Sequence, residues 1–233
     1  MSIKDDYYIK EIDGLTANKI VKKCHYAHRQ CSAVRSFGLY SYNPNKIVGV
    51  VIYGNSASPS VDKSICGEQE MHNVYELNRL YVDDGFPKNL ESYLVGNTLK
   101  LLDREIIISY SDTGYNHIGV IYQATNFIYT GLVGGGNSDF EEIDENGNRL
   151  HNRYLYSKYG NADNIRKAQS MGKNIYTVER SKKHRYIYFN AHGKRKKELL
   201  SKLLLPVMSY PKQSTSVPIT SDVNIFDGER RLF

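Results

Sequence analysis

Two histidines and a tyrosine lie close together in the segment KKCHYAHRQ, residues 22–30. An apolar stripe at helical spacing precedes them and predicts a helix that Thr16 caps. That stripe comprises Ala17, Ile20, Val21 and Cys24. Continuing its spacing places His25 and His28 on the inward face of the helix. A buried histidine is most often a hydrogen-bonded core residue. It can also act as a general acid or base, because its unperturbed pKa is about 6.5.

A carboxylate, Asp112, ends the apolar run IIISYSD, which predicts a buried strand. Ligands of α/β sheets bind at the carboxyl ends of strands, which favours a catalytic role for Asp112. The alternative is that Asp112 caps the next helix, and both roles are compatible. Together with a carboxylate, Asp112 or Glu76, the pair His25 and His28 would also form a set that suits non-haem iron.

The surrounding elements follow the order β-α-β-β-β-α-β-α-β, and a C-terminal extension comes after them. Residues 55–72 are polar and predict a loop, and residues 73–82 predict a strand. Strict alternation places Glu76 on one face of this strand and Arg79 on the other. These two residues either orient a donor molecule or pair with neighbouring strands. Helices are expected near 87–102, 114–127 and 162–171, and late strands over 149–160 and 173–189.

The element order predicts an α/β fold with a mixed, mostly antiparallel twisted sheet flanked by helices, similar to the GNAT acyltransferase fold. The chain has 233 residues, 40% of them hydrophobic and 24% charged. This composition suits one substantial core. We expect a single domain over residues 1–205 and a tail or arm over 206–233, where the sequence is polar and contains proline.

Basic residues concentrate between residues 180 and 202, in a chain with a net charge of +6. Tyrosine and phenylalanine alternate with them in KHRYIYF, which favours contact with nucleic acid. Lys183 and Arg185 are the expected phosphate contacts, and Tyr186 is an aromatic candidate. The alternative is a solvated edge strand guarded by lysine.

Three cysteines without CxxC spacing argue against a disulfide scaffold or a structural zinc site. Because no apolar run has the length of a signal peptide or a membrane span, the sequence predicts a soluble, cytoplasmic protein.

Four segments in order resemble the Mom family of bacteriophage DNA-modification proteins, which are regarded as GNAT relatives. The segments are HYAHR, YELNRLYVDDGFPKNLESYLV, IISYSDTGYNHIGVIYQATNFIYTG and KHRYIYF. The resemblance implies conversion of adenine in DNA to N6-(carbamoylmethyl)adenine, which shields phage DNA from host restriction. It also implies a location in the host cytoplasm. The family's active His-Tyr pair and aspartate match His25, Tyr26 and Asp112 here, and iron has been suggested as a family cofactor.

The implied reaction requires an adenine that is flipped out of the duplex or already exposed. Tyr26, Tyr122, Asn126 and Asp112 are candidates to hold that base. For the donor, the segment DDGFPKNLES departs from the glycine-rich phosphate loop of GNAT enzymes, since Gly85 is its only glycine. Lys88, Asn89 and Ser92 remain candidates to bind a polar or anionic donor. The sequence does not identify the donor, and acetyl-CoA or another small metabolite are the candidates. Simple acyl transfer would leave an amide on N6, so the implied product requires another donor or an extra step.

Two other functions compete with this interpretation. The first is a conventional GNAT N-acyltransferase that uses acyl-CoA on a protein or a small amine. The second is a DNA-binding module whose pocket is catalytically inactive. A homodimer is left open, and the sequence indicates no membrane partner.

Overall fold

A computed structural model of the chain describes residues 3–25, 28–134, 140–147, 149–150, 152–160 and 163–212. The chain divides into two compact units, residues 1–132 with 184–211 and residues 133–183 with 212–233. None of the helices in the described ranges has the length and apolar composition that a membrane span needs.

The first unit is built on a seven-stranded sheet with the strand order β1-β2-β3-β4-β5-β10-β6. Its strands are β1 (Tyr7–Glu11), β2 (Arg35–Ser41), β3 (Lys46–Gly54), β4 (Val74–Val82), β5 (Ile106–Asp112), β6 (Ile128–Val133) and β10 (Lys183–Phe189). Its helices are α1 (Ile3–Asp6), α2 (Gly14–Cys24), α3 (Pro59–Cys66), α4 (Leu90–Thr98), α5 (Val120–Ala124) and α8 (Gly193–Lys202). The first four strands pair antiparallel and β4 pairs parallel with β5, which confirms the predicted mixed α/β sheet. The expected helices after the fourth and fifth strands are also present as α4 and α5.

Helix α2 covers one face of this sheet. Its buried residues Ala17 and Val21 pack against Val50 and Ile52 of β3. The helix begins earlier than predicted, because Asp13 rather than Thr16 is the N-cap. The carboxylate of Asp13 accepts a hydrogen bond of 2.8 Å from the Thr16 amide.

The opposite face carries α4 and α5 over the largest core cluster. Leu90 and Leu94 of α4 pack there with Tyr53, Phe127 and Tyr186, all of them buried. Rings of this cluster contact each other at centroid distances of 5.2–5.4 Å. Aromatic packing of this kind is worth about 0.5–1.5 kcal/mol per pair beyond the buried area. This face of the sheet is therefore a packing surface.

Two predicted segments differ from the structure in their secondary structure. Residues 55–72 were expected to be a loop, but they contain α3 and a 3-10 helix over Glu68–Asn73. Ile65 and Cys66 of α3 are buried against the sheet, so a few apolar residues stabilise a helix in a polar segment. The helix expected over 114–127 is shorter, because Gly119 has a positive φ of 75° and α5 begins after it.

Charged side chains connect α8 to the beginning of β5. Arg195 lies 2.8 Å from Glu70 and 2.8 Å from Glu105, and Lys202 lies 2.8 Å from Glu70. Because Arg195 and Lys202 donate hydrogen bonds to it, the pKa of the nearly buried Glu70 is lowered to about 2. These contacts hold α8 on the first unit.

The second unit contains a three-stranded sheet with the order β8-β7-β9. Its elements are β7 (Phe140–Asp144), β8 (Arg149–Leu150), α6 (Asn152–Tyr159), α7 (Asn164–Ser170) and β9 (Ile175–Glu179). Leu155, Tyr159, Ala168 and Ile175 form its small core. Most of the segment 149–160 is helical rather than the predicted strand, because its apolar residues Leu155 and Tyr159 are four positions apart.

Residues 203–211 continue from α8 along the first unit. The Met208 amide donates to the Tyr129 carbonyl over 2.9 Å, and the Tyr210 hydroxyl donates to the Phe127 carbonyl over 2.7 Å. The predicted tail over 206–233 therefore begins as a packed segment, and residues 213–233 lie outside the described ranges. The domain boundary at residue 205 stays a prediction.

Candidate active site

A β-bulge in β4 places two predicted site residues on the same face of the sheet. Ile52 pairs with Arg79, but the next residue, Tyr53, pairs with Leu77, so Asn78 is an extra residue. Strict alternation would have placed Glu76 and Arg79 on opposite faces, and that prediction is wrong because the bulge shifts the alternation by one residue. Arg79 consequently lies on the α2 face with Ile52, as Glu76 does. The Asn78 side chain donates to the Ser32 carbonyl over 2.9 Å and anchors the bulge.

The strands β4 and β5 separate at this level of the sheet. Their parallel pairing ends at Leu77 and Ser109, although β4 continues to Val82 and β5 to Asp112. Side chains beyond this point line the place where the two strands diverge. Ligands of α/β sheets bind at such places.

His25 is the first residue after α2 and is only 6% exposed. Its backbone is extended, and its amide donates to the Val21 carbonyl over 3.0 Å. Burial, followed by the positive charge of Arg79 and the influence of His28 and His117, lowers the His25 pKa to about 4. The imidazole is therefore neutral at pH 7 and able to accept a proton. The adjacent residue Tyr26 lies outside the described residues.

Asp112 takes the capping role that the sequence left open. Its Oδ1 accepts a hydrogen bond of 2.9 Å from the Gly114 amide at the start of a 3-10 turn. Its carbonyl accepts a hydrogen bond of 3.2 Å from the His117 amide. Since the His117 side chain influences the pKa of His25, the loop after β5 approaches His25. A position of the Asp112 carboxylate beside His25 stays a prediction.

Glu76 interacts with two residues of this neighbourhood. Burial, followed by the negative charge of Glu76, raises the pKa of the Tyr110 phenol to about 12. Glu76 and Arg79 both influence the pKa of the Cys31 thiol, which burial raises. We refer to the residues that influence one another electrostatically on this side of the sheet as the polar cluster. It comprises His25, Glu76, Arg79, Tyr110 and His117.

Arg79 presents a hydrogen-bond donor to this cluster. Its Nη1 donates to the Asn78 carbonyl over 2.6 Å. Its Nε is buried and has no hydrogen-bond partner among the described residues. Buried donors are almost always paired in native proteins, so this nitrogen is suited to a ligand acceptor.

The predicted metal ligands do not come together as an iron site. His28 has a left-handed backbone (φ 44°), is exposed, and places Nδ1 3.2 Å from the Lys22 carbonyl. The prediction that it lies on the inward face is wrong, because the helix ends at Cys24. Over the described ranges no group of three or more His, Cys, Asp or Glu side chains is placed to hold a metal ion. These residues therefore do not fit iron.

The first backbone amides of the loop before α4 are not free to bind a phosphate. The Gly85 amide donates to Asp83 Oδ1 over 3.0 Å, and the Phe86 amide donates to the Asp83 carbonyl over 3.2 Å. Pro87 has no amide hydrogen. These contacts and the carboxylate of Asp83 do not fit the pyrophosphate of CoA at this position. Lys88 lies in this loop before α4, and its part in donor binding stays a prediction.

Three other predicted binding residues lie around one cavity on the α4 and α5 face. Asn89, Ser92 and Asn126 line a volume of about 400 Å³, together with Lys100. Asn89 and Asn126 both have left-handed backbones, with φ of 73° and 62°. Because α2 and α4 cover opposite faces of the sheet, these residues are not beside His25.

Tyr122 belongs to the same face as α4 and α5. Its ring lies 5.4 Å from the ring of Phe127 and 5.3 Å from that of Tyr186. It is partly buried against the core cluster. The structure thus places Tyr122 in the aromatic packing and not beside His25, where the predicted base-holding set would require it.

Of the three predicted DNA contacts on β10, Tyr186 is buried, whereas Lys183 and Arg185 are partly exposed. Tyr186 has no exposed area, and its hydroxyl donates to the Ile118 carbonyl over 2.5 Å. Arg185 donates from Nε to Thr130 Oγ1 over 2.9 Å. β10 lies between β5 and β6, so it is not the predicted edge strand either. A contact of Lys183 with DNA stays a prediction.

The family model described as the Mom protein family matches residues 6–212. The chain belongs to the Mom family. It is also 28% identical over 211 residues to methylcarbamoylase mom of Escherichia phage Mu, covering 88% of this chain and 83% of the relative. The match confirms the resemblance found in the sequence.

Solved structures similar to this Mom-family chain are acetyltransferases. The ribosomal-protein-S18-alanine N-acetyltransferase of Escherichia coli has 10% identity and a TM-score of 0.44, covering 80% of this chain and 96% of that one. The ribosomal-protein-S5-alanine acetyltransferase of Vibrio fischeri has 12% identity and a TM-score of 0.45, with coverages of 81% and 96%.

Sequence reasoning missed two members of the polar cluster, Tyr110 and His117. Tyr110 precedes Asp112 by two residues, so strand alternation places both on one face, and this signal was available. For His117 no local pattern exists, because its position depends on the fold of the loop after β5.

Proposed function

We propose that the chain is a transferase that modifies the N6 amine of adenine in DNA, producing N6-(carbamoylmethyl)adenine and so protecting phage DNA from host restriction. The observation that carries this proposal is the family match, which spans residues 6–212 and includes every residue of the polar cluster. The phage Mu relative is named a methylcarbamoylase. Two features of the structure support the proposal, the buried His25 imidazole with its lowered pKa and the buried Arg79 Nε.

His25 is the residue that we assign to proton removal. The adenine N6 amine loses one proton when its nitrogen forms a bond to the carbamoylmethyl carbon. A base with a pKa of about 4 is in its proton-accepting form at pH 7, and burial beside Arg79 keeps it neutral. The proton leaves N6 for an imidazole nitrogen of His25, and the leaving group of the donor departs with the electron pair of the broken bond.

Arg79 and Asp112 are assigned to orientation. The buried Nε of Arg79 donates to an acceptor, either a ring nitrogen of the purine or the amide oxygen of the transferred group. Asp112 accepts a hydrogen bond from N6, in addition to capping the turn after β5. That hydrogen bond increases the electron density on an amine that ring conjugation makes a poor nucleophile. Because the described residues fit neither iron nor a CoA pyrophosphate cradle, no step passes through either group.

Mass spectrometry of nucleosides from the DNA of expressing cells tests the proposal. A modified deoxyadenosine is expected with the wild-type chain and not with Asp112→Ala. Asp112→Asn separates the two roles, because an asparagine oxygen still caps the turn but carries no charge. Loss of product in both variants, with unchanged thermal stability of Asp112→Asn, supports a chemical role. If Asp112→Asn formed the full amount of product, Asp112 would have only the capping role.

The same experiment addresses the competing functions. Unmodified DNA together with an acylated protein or amine would favour a conventional N-acyltransferase. The occupied amides before α4 disfavour this alternative. DNA binding without any product would favour an inactive binding module.

A further inference from the structure

Of the DNA contacts expected on β10, Tyr186 is buried and Arg185 is hydrogen-bonded to Thr130, so we expect a further surface for the phosphates. The last two turns of α2 provide an alternative. Lys19, Lys22 and Lys23 have the spacing i, i+3 and i+4, and all three are exposed on the side opposite the buried Ala17 and Val21. The next residue after this helix is His25.

These lysines are also not engaged in ion pairs. Within the part of the chain that the structure describes, none of the three pairs with a carboxylate. Arg195 and Lys202 on α8, by contrast, are bound to Glu70 and Glu198. A lysine without a carboxylate partner keeps its full capacity to bind a phosphate.

A groove of about 340 Å³ lies along the side of α2 and continues over β3 and β4. Lys19, Lys23 and Cys24 line it from the helix, and Tyr81 and Asp83 line it from the end of β4. Burial, followed by the neighbouring Cys24 thiol, raises the pKa of the Tyr81 phenol. Tyr81 lies on the same face as Arg79, because both follow the bulge. The groove therefore adjoins the polar cluster.

The spacing of the lysines suits a nucleic-acid backbone. Lys19 and Lys23 are about 6 Å apart along the helix axis, and Lys19 is about 9 Å from His25 in the same direction. One DNA strand carries a phosphate for about every 3.4 Å of duplex axis. Two lysines at this spacing can contact phosphates on the strand that carries the target base.

We propose that the groove between α2 and the β3–β4 strands binds the phosphate backbone of the DNA strand next to the target adenine, through Lys19 and Lys23. This proposal rests on the proposed function for the identity of the partner. Asp83 is a carboxylate on the opposite wall and opposes an anion there. Its Oδ1 is held by the Gly85 amide, so it limits the phosphates to the lysine side of the groove.

The test is binding of labelled duplex DNA by fluorescence anisotropy, at several salt concentrations between about 50 and 200 mM. The double variant Lys19→Gln/Lys23→Gln is expected to bind more weakly and to reduce the slope of log K against log salt by about 2. The matched control is Lys194→Gln/Lys197→Gln, in which two exposed lysines of α8 are neutralised. Helix α8 begins shortly after Asn190, whose amide donates a hydrogen bond to the Glu105 carbonyl at the start of β5. Asp112 is at the other end of that strand, about 20 Å away, so the two control lysines are far from the groove. The control slope is expected to equal that of the wild type.

A second variant tests the groove from its other wall. Asp83→Asn keeps an oxygen for the Gly85 amide but removes the charge, so it is expected to strengthen DNA binding. An unchanged slope in Lys19→Gln/Lys23→Gln, or weaker binding by Asp83→Asn, would overturn the assignment.

Product analysis separates this proposal from the proposed function. If modified adenine is formed but the salt slope of Lys19→Gln/Lys23→Gln is unchanged, only the assignment of the groove is contradicted. A reduced slope without any modified nucleoside supports the groove and contradicts the function.

Discussion

The two faces of the seven-stranded sheet are built from different chemistry. The face under α4 and α5 consists of interlocking aromatic and aliphatic side chains, among them Phe127 and Tyr186, which are fully buried. The face under α2 carries His25, Glu76 and Arg79 between its apolar residues. The same strands thus supply stability on one side and reactive groups on the other. Substitutions on the two faces should consequently change different measured quantities.

The largest expected effect is on the α2 face, with His25→Gln. Glutamine retains hydrogen-bonding groups but cannot accept a proton near neutral pH. Product formation should fall by about 10²–10⁴-fold, the usual contribution of a general base, while the melting temperature changes little. The control is His192→Gln, which changes an exposed histidine at the N-cap of α8. Equal activity of both variants would contradict the assignment of His25.

The opposite result is expected from Phe127→Ala on the α4 and α5 face. Truncation of this fully buried ring leaves a cavity next to Tyr122 and Tyr188. The free energy of unfolding should fall by about 3–5 kcal/mol, measured by denaturant titration. Phe127→Leu preserves most of the volume and should cost less. If Phe127→Ala were as stable as the wild type, the description of this face as a packing surface would be wrong.

The dependence of activity on pH sharpens the comparison within the α2 face. His25 has a folded pKa of about 4, so the proton-accepting form persists down to that pH, and activity should decline only as pH falls towards 4. Arg79→Gln removes a positive charge that lowers this pKa, so the acid limb should move upwards, towards 6.5. Arg79→Lys retains the charge and should leave the limb near 4. Reaction rates between about pH 4 and 8 measure these shifts. If activity declined at the same pH in Arg79→Gln and in the wild type, Arg79 would have no influence on the pKa of His25.

The smallest expected effect comes from Tyr186→Phe. This change removes the hydrogen bond from the Tyr186 hydroxyl to the Ile118 carbonyl and should lower the unfolding free energy by about 1 kcal/mol. Because the ring is buried, DNA affinity and its salt dependence should remain those of the wild type. A reduced salt slope would restore β10 as the DNA contact and contradict the inference drawn for α2.

Local patterns in the sequence were sufficient for the regular elements. The stripe ending at Cys24 predicted α2, and the run IIISYSD predicted β5 with Asp112 at its end. Position within the sheet could not be predicted in the same way. The basic and aromatic segment KHRYIYF resembles an exposed strand by composition, but β10 inserts between β5 and β6. Its alternate side chains are therefore buried, since pairing on both sides depends on distant parts of the chain.

The site illustrates the same limit. The burial of His25 followed from helical spacing, whereas the exposure of His28 depended on where the helix ends. Asp112 performs the capping role that its SDTG context indicated. The proximity of Arg79 to His25 was not predictable from alternation, because a single extra residue in β4 changes the face.

The extra residue Asn78 makes the reactive surface sensitive to the length of a strand as well as to its composition. Deleting Asn78 would alter no charge and no aromatic ring. It would nevertheless move every later side chain of β4 to the opposite face of the sheet. The guanidinium of Arg79 would then point away from the His25 imidazole. Related chains can therefore retain each reactive residue and still lose the chemistry through one missing codon.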